Sequence, residues 1–320
     1  MKAFCVSHVK DVDGIGAGAL VAAATGAEVK LSDYVTLMDD LGNVPEDVDR
    51  FVLCDLGSDN ANAEEFARRM GRIASHADVT YIDHHLMSEA TKRRLNEAGV
   101  TVVHDEEECA AMLAYKTFRA ALPERARMIA LMGAVTDYMD DSPMAKRMME
   151  REDRQFVLLE ATLLAYAMAK QAGKDGFAEK LVRELAEMKY PHEIPGVPAL
   201  AMEQLSEIVK LGDEVKRQGK KMGSFAYVVT SQRSTGNVAK LLIGEFDAPV
   251  GVALKEQEKG WYEVSLRCTS ECKLHLGETI GRIASGLGGS GGGHRKAAGC
   301  RIPVARLDGM LAQLSDALRN

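Results

Sequence analysis

Short apolar runs alternate with amphipathic stretches through the first 140 positions of the chain. The runs are Ala3-Phe4-Cys5-Val6-Ser7, Arg50-Phe51-Val52-Leu53-Cys54, Val79-Thr80-Tyr81-Ile82 and Val100-Thr101-Val102-Val103. Each is short and mostly apolar, with β-branched or aromatic side chains, which predicts a buried strand. Between them, 14–24, 61–73 and 92–98 carry apolar side chains at helical spacing. In 61–73, Phe66, Met70 and Ile73 fall on one face and Arg68, Arg69 and Arg72 on the other. Helices are also predicted over 109–120 and 126–133. Strands alternating with helices predict an α/β fold, with a doubly wound, mostly parallel sheet covered on both faces.

After residue 140 the pattern changes. Positions 148–188 read as helical throughout. Proline and glycine then concentrate in 190–198, which punctuates the chain. Positions 199–222 read as one amphipathic helix with a basic end at Lys216, Arg217, Lys220 and Lys221. A second, smaller α/β domain begins near Gly223, with strands over 225–230, 250–255 and 262–267 and helices over 237–244 and 276–285. The expected organisation is a first domain over 1–195, a helical connector over 196–222 and a second domain over 223–320. A chain of 320 residues exceeds the usual single-domain size. No internal repeat is visible, and the glycine-rich segment 286–293 is the only low-complexity tract.

The chemistry lies where the apolar runs stop. His8, Asp11 and Asp13 follow the first run, and Asp55 follows the second. Asp83-His84-His85 ends the third, and Asp137 follows Met132-Gly133-Ala134-Val135-Thr136. In an open parallel sheet, residues just past the carboxyl ends of strands converge on one crevice. Converging Asp and His side chains are ligands for hard or borderline divalent ions such as Mn²⁺. Asp11 and Asp13 alone would serve equally well as caps for the helix starting near Gly14. The company of Asp55, His84 and Asp137 turns the reading to metal. Such carboxylates would repel one another without an ion between them.

Composition narrows the substrate. The formal charge of −7 disfavours a protein held on a duplex by many phosphate contacts and leans towards small or short phosphorylated molecules. The N-terminus reads as a strand rather than a signal peptide, and no apolar run has the length of a membrane span. The six cysteines show no disulfide spacing. Cys268 and Cys272 lack the second pair that a zinc site needs. The expectation is a cytoplasmic protein with reduced thiols and no membrane partner.

At these residues the sequence resembles the DHH phosphoesterase superfamily. His8-Val9-Lys10-Asp11-Val12-Asp13-Gly14-Ile15-Gly16 looks like its first motif and Cys54-Asp55-Leu56-Gly57 like its second. Asp83-His84-His85 looks like the third, and Gly133-Ala134-Val135-Thr136-Asp137 like the fourth. Gly291-Gly292-Gly293-His294-Arg295-Lys296-Ala297-Ala298-Gly299 resembles the glycine-histidine signature of the DHH-associated C-terminal domain. Arg267 matches the arginine that this domain carries on a strand. Two departures stand out. Gly288-Gly289-Ser290 lengthens the glycine run, and Cys109 and Ala110 occupy positions where the family normally has small hydroxyl residues.

The resemblance implies a two-Mn²⁺ site, with Mg²⁺ or Co²⁺ as substitutes. One ion takes His8, Asp11 and Asp55; the other takes Asp13, Asp55, His84 and Asp137, so Asp55 bridges. Asp55 and His85 are the implied catalytic residues, His85 meeting a phosphate oxygen or the leaving group. The alternative for His85 is to support His84. Arg267, Gly291, Gly292, Gly293 and His294 are implied to hold the far end of the substrate. Read from the residues alone, 288–293 is either a flexible loop or a row of N–H groups open to an anion. The implied activity is hydrolysis of short oligonucleotides or nucleotide phosphates, of the nanoRNase, phosphoadenosine phosphatase or cyclic dinucleotide phosphodiesterase type. The alternatives are a RecJ-like single-strand exonuclease and a non-catalytic scaffold binding replication partners. A homodimer is the assembly considered. His76, His104, His192 and His275 belong to no constellation and are expected to carry no role.

Overall fold

A computed structural model of the chain describes residues 1–57, 62–174, 176–232, 234–257 and 260–319. The chain divides into two compact units, Met1–Gln204 and Leu205–Asn320.

The first unit opens with β1 (Ala3–His8), α1 (Val12–Thr25), β2 (Glu28–Ser32), α2 (Leu37–Gly42), β3 (Arg50–Cys54), α3 (Ala63–Ala74), β4 (Asp78–Asp83), α4 (Glu89–Glu97) and β5 (Val100–His104). The five strands form one sheet in the order β2-β1-β3-β4-β5, and every pairing is parallel. Successive side chains point to opposite faces of a strand. In β1, Cys5 therefore joins one apolar cluster, while Phe4 and Val6 join the other. Val52 and Cys54 of β3 part from Phe51 and Leu53 in the same way. On the first face lie α1, α5 (Ala110–Phe118), α6 (Ala126–Thr136), α8 (Arg154–Gln171) and α9 (Phe177–Ala186); α7 (Pro143–Met149) separates α6 from α8. On the second face lie α2 and α3. The expected α/β architecture is therefore present.

The order of the strands matters for chemistry. The chain steps from β1 outward to β2, then crosses back to place β3 on the other side of β1. At such a reversal the connections leaving two adjacent strands diverge, which opens a crevice at their carboxyl ends.

Several elements differ from expectation. β2 and α2 carry no apolar run and leave no mark in the sequence pattern. The stretch 148–188 is not one helix: α7 ends at Met149, Asp153 caps α8 by accepting from the Phe156 N–H, and α9 begins only at Phe177. The helix expected over 61–73 runs Ala63–Ala74, and Ala61 lies outside the described residues.

The long helix α10 runs Val197–Gln218, with Lys216 and Arg217 in its last turn as expected, and stops short of Lys220 and Lys221. Lys220–Met222 is instead β6, paired antiparallel with β7 (Phe225–Val229). Two lysines suit this place, because β6 is an edge strand and charge there discourages further pairing. The second unit continues with α11 (Thr235–Phe246), β8 (Val250–Gln257), β9 (Trp261–Cys268), α12 (Leu276–Gly286), β10 (Ser290–Gly293), β11 (Ala297–Pro303) and α13 (Leu307–Arg319). Its sheet has the order β10-β11-β9-β8-β7-β6, antiparallel except for β7 against β8.

Candidate metal centre

The first unit brings seven of the singled-out side chains together at the reversal between β1 and β3. His8 is the last residue of β1, and Asp11 and Asp13 stand at the start of α1. Asp55 follows β3 directly and adopts a left-handed backbone, φ 58°, which aspartate tolerates better than most residues. His84 and His85 follow β4. Asp137 is contributed by a helix rather than a strand: it caps the carboxyl end of α6.

Asp55 is the hub. Its Oδ2 lies 3.3 Å from His8 Nδ1, and its Oδ1 lies 3.3 Å from His84 Nε2. His8 Nδ1 is also 3.0 Å from Asp11 Oδ2. His84 Nε2 is 3.5 Å from Asp137 Oδ2 and 3.8 Å from Asp13 Oδ2. Two groups of three ligand atoms follow, His8–Asp11–Asp55 and Asp13–His84–Asp137, each with its atoms within 4.8 Å of one another. A third, Asp55–His84–His85, meets the same limit.

Asp13 is held by a device with no side-chain signature. Its two carboxylate oxygens accept the N–H groups of Ala110 and Ala111, both at 2.8 Å. These belong to the first turn of α5, where N–H groups have no partner within the helix and favour an anion. The Cys109 thiol favours the charged form of the same carboxylate. The backbone of the first turn of α5 therefore holds this carboxylate without a hydroxyl side chain. Gly133 of α6 is required here. A Cβ at that position would stand 2.6 Å from Asp13 Oδ1 and 2.8 Å from Ala111 Cβ.

His85 stands at the edge of the cluster, its Nδ1 4.0 Å from Asp55 Oδ1. Its Nδ1 lies 2.8 Å from Asp83 Oδ1, and Asp83 Oδ2 accepts the Tyr81 hydroxyl at 2.8 Å. The carboxylate fixes the proton on Nδ1, as orienting carboxylates do. Nε2 then faces the Tyr34 hydroxyl at 3.1 Å. His104 Nε2 lies 2.7 Å from the His85 carbonyl oxygen, so this histidine, expected to be idle, braces the turn. Sequence reasoning misses Tyr34, Tyr81 and His104 as site residues. Nothing local marks them, since their roles arise only where separate strands meet.

Burial and neighbouring charge set the protonation of these groups. Burial, then repulsion from Asp13, pushes Asp137 up to about 8. Burial, then repulsion from Asp55, pushes Asp13 up to about 6. Burial works against charge on His8 and His84, but their carboxylate partners outweigh it and raise both to about 10. Burial likewise opposes ionisation of Asp55, yet hydrogen bonds from His8 and His84 hold it below the usual carboxylate range.

The donor set fits divalent ions. It is all carboxylate oxygen and imidazole nitrogen, which suits Mn²⁺ or Mg²⁺ and offers nothing to thiophilic metals. Asp137 Oδ2 is buried and accepts no hydrogen bond, an arrangement that costs about 1–3 kcal/mol unless another partner is present.

In the second unit, Arg267 lies on β9, and its guanidinium packs over Gly236 in the first turn of α11. A Cβ there would stand 2.7 Å from Nη2. Ala297, at the start of β11, is the Cα partner of Arg267. The glycine run is not a loop. Gly291, Gly292 and Gly293 belong to β10, paired antiparallel with Cys300, Gly299 and Ala298. Gly277 of α12 must be glycine because that helix packs directly on this strand, with the Gly293 carbonyl oxygen 1.9 Å from where its Cβ would be. His294 opens the turn between β10 and β11, its N–H donating to the Ala297 carbonyl at 2.8 Å. Gly292 faces open space, with no atom within 4 Å of a Cβ built on it.

The chain belongs to the DHH family. Residues 2–139 match the DHH family N-terminal domain, and residues 222–320 match the DHHA1 domain. Among solved structures it is similar to the pGpG-specific phosphodiesterase PggH of Vibrio cholerae, at 13% identity and a TM-score of 0.60, covering 99% of both chains. It is similar to a DHH domain described as a member of the s1p family of ribosomal proteins, at 16% identity and a TM-score of 0.71, covering 99% of this chain and 86% of that one. It is also similar to RecJ of Thermus thermophilus in complex with Mn²⁺, at 18% identity and a TM-score of 0.68. That match covers 99% of this chain but 52% of RecJ, so the chain spans about half of that enzyme. No curated protein matches the chain in sequence. No helix among the described residues is long and apolar enough to cross a membrane.

Proposed function

We propose that the chain is a divalent-metal-dependent phosphoesterase acting on short oligonucleotides or nucleotide phosphates. The observation that carries this reading is the Asp55 carboxylate, which turns one oxygen to His8 and the other to His84. A carboxylate so placed belongs to two ligand sets at once. His8, Asp11 and Asp55 would hold one ion, and Asp13, Asp55, His84 and Asp137 the other, with Mn²⁺ the preferred metal. Ions in such a pair lower the pKa of bound water and neutralise charge on a phosphoryl group in displacement.

The chain's own residues do the rest. Asp83 orients His85 so that Nε2 faces outward, where it meets a phosphate oxygen or the leaving group. The first turn of α5 keeps Asp13 from rotating out of place. Arg267, His294 and the β10 glycines are the second unit's candidate contacts to the substrate.

Support for a short substrate comes from the net charge of −7 and from the full mutual coverage with a dinucleotide phosphodiesterase. A RecJ-like exonuclease needs an open groove that tracks a strand. The test is a panel containing 5′-phosphorylated dinucleotides, 3′,5′-bisphosphoadenosine, cyclic dinucleotides, long single strands and polyphosphate. Each is assayed with Mn²⁺ and again with chelator. Chelator-sensitive hydrolysis that peaks at about two to five nucleotides is expected. Long strands degraded at least as efficiently as dinucleotides would favour the exonuclease. No hydrolysis of any member would favour a binding scaffold.

A further inference from the structure

Unit 1 leaves seven large apolar side chains exposed among the described residues; one of them, Tyr34, touches His85, and three adjoin site residues in sequence. Tyr34, bonded to His85, is 51% exposed, and the next residue, Val35, is 86% exposed. Leu86, next to His85, is 74% exposed, and Tyr138, next to Asp137, is 61% exposed. Contiguous exposed apolar surface marks interaction or ligand sites, whereas singly scattered apolar side chains are ordinary.

Tyr34 is the best placed of the four. Its ring lies edge-on to both His8 and His85, with centroids 5.5 and 6.0 Å away and interplanar angles of 68° and 87°. Neither imidazole lies parallel to it, so neither stacks on the phenol. The segment is also stiff. Asp33 Oδ1 accepts the N–H groups of Val35 and Thr36 at 2.9 and 3.1 Å, and Asp33 is itself paired with Lys10 at 3.1 Å. A flat, half-exposed ring is thus held in one orientation, its hydroxyl 3.1 Å from the outward-facing His85 nitrogen.

Resting on the phosphoesterase reading above, we propose that Tyr34 is the stacking platform for the nucleobase adjoining the reacting phosphate. The substrate class at this site is then a nucleoside phosphate. A second phosphate in that place would meet apolar side chains and carboxylates, and Lys10, the cation of this segment, is engaged by Asp33. A base is neutral, flat and one ribose away from its phosphate. It covers the exposed ring without adding negative charge to a cluster already rich in carboxylates.

The test compares two ligands of the Mn²⁺-loaded full chain: 2-aminopurine riboside 5′-phosphate, whose fluorescence is quenched on stacking, and ribose 5-phosphate, which lacks a base. Tyr34→Ala is expected to weaken the nucleotide roughly ten-fold, since a base stacked on an aromatic ring contributes about that much. It should leave ribose 5-phosphate unchanged. Tyr34→Phe removes the hydroxyl bonded to His85 but keeps the ring, and it should retain both the quenching and the affinity. Equal weakening of both ligands by Tyr34→Ala, or loss of quenching in Tyr34→Phe, would overturn the platform. A wild-type chain that binds the two ligands equally well would also overturn it, while leaving the phosphoesterase reading intact. Binding of neither would overturn both.

Discussion

Nε2 of His84 stands 3.3 Å from Oδ1 of Asp55, and that separation joins two ligand sets into one centre. Removing the carboxylate should therefore cost more than removing any ligand of a single set. Asp55→Asn, which tolerates the left-handed backbone, is expected to lower kcat by at least ~100-fold, since even groups that merely support a ligand account for 10–100-fold. Steady-state hydrolysis of a 5′-phosphorylated dinucleotide in saturating Mn²⁺ measures it. Near-wild-type turnover would remove Asp55 from its central role.

With divalent ions chelated, the fold should weaken as pH rises. Folded Asp13 and Asp137 keep protons to about 6 and 8, whereas the unfolded chain releases them near 3.8. Folded His8 and His84 keep theirs to about 10, against 6.5 unfolded. All four groups bind more protons in the folded state, so stability declines between about pH 5 and pH 8. Asp55 is shifted the other way but is ionised in both states across that window. Thermal denaturation with chelator at pH 5.5, 7 and 8.5 should show a falling midpoint, and added Mn²⁺ should remove most of the slope. A chelated protein that gains stability over this range would contradict the assigned protonation.

Gly133→Ala tests the link between α5, α6 and Asp13. The new methyl would meet Asp13 Oδ1 at 2.6 Å and Ala111 Cβ at 2.8 Å, both in well-packed surroundings. Overpacking of this kind costs about 1–3 kcal/mol. Denaturant unfolding should show that loss, and Mn²⁺ titration should show weaker binding because Asp13 is displaced. Full stability with unchanged affinity would mean that the helices slide apart freely.

How much of this is legible in the sequence follows from where the information lies. His8, Asp55 and His84 are legible because apolar runs stop at them, and burial on both faces makes such runs conspicuous. β2 is not, because its residues from Glu28 to Leu31 alternate between exposed and half-buried at the sheet edge and form no apolar run. β10 reads as a loop because a strand of Ser and Gly has no side-chain period, and its pairing is carried by the backbone alone. The anchoring of Asp13 by Ala110 and Ala111 is invisible for the same reason. Tyr34 and His104 act through contacts with His85 that only the folded sheet creates.

Arg267 and His294 test the proposed division of labour. Each should raise KM on truncation to alanine, with bound metal unchanged, because their partner is substrate. For a charge-assisted contact the expected loss is about 1.5–3 kcal/mol, or roughly ten- to a hundred-fold in kcat/KM. Elemental analysis of the purified variants supplies the second reading. Loss of bound manganese in either would assign these residues to the metal centre instead.

The most direct measurement is the number of ions the chain holds. Mn²⁺ binding, followed by titration calorimetry and confirmed by elemental analysis at neutral pH, should give two ions per chain in the wild type. In Asp55→Asn, which weakens both sets, occupancy should drop for both ions together. A single ion in the wild type, or an Asp55→Asn protein that still holds two, would contradict the bridged two-ion centre.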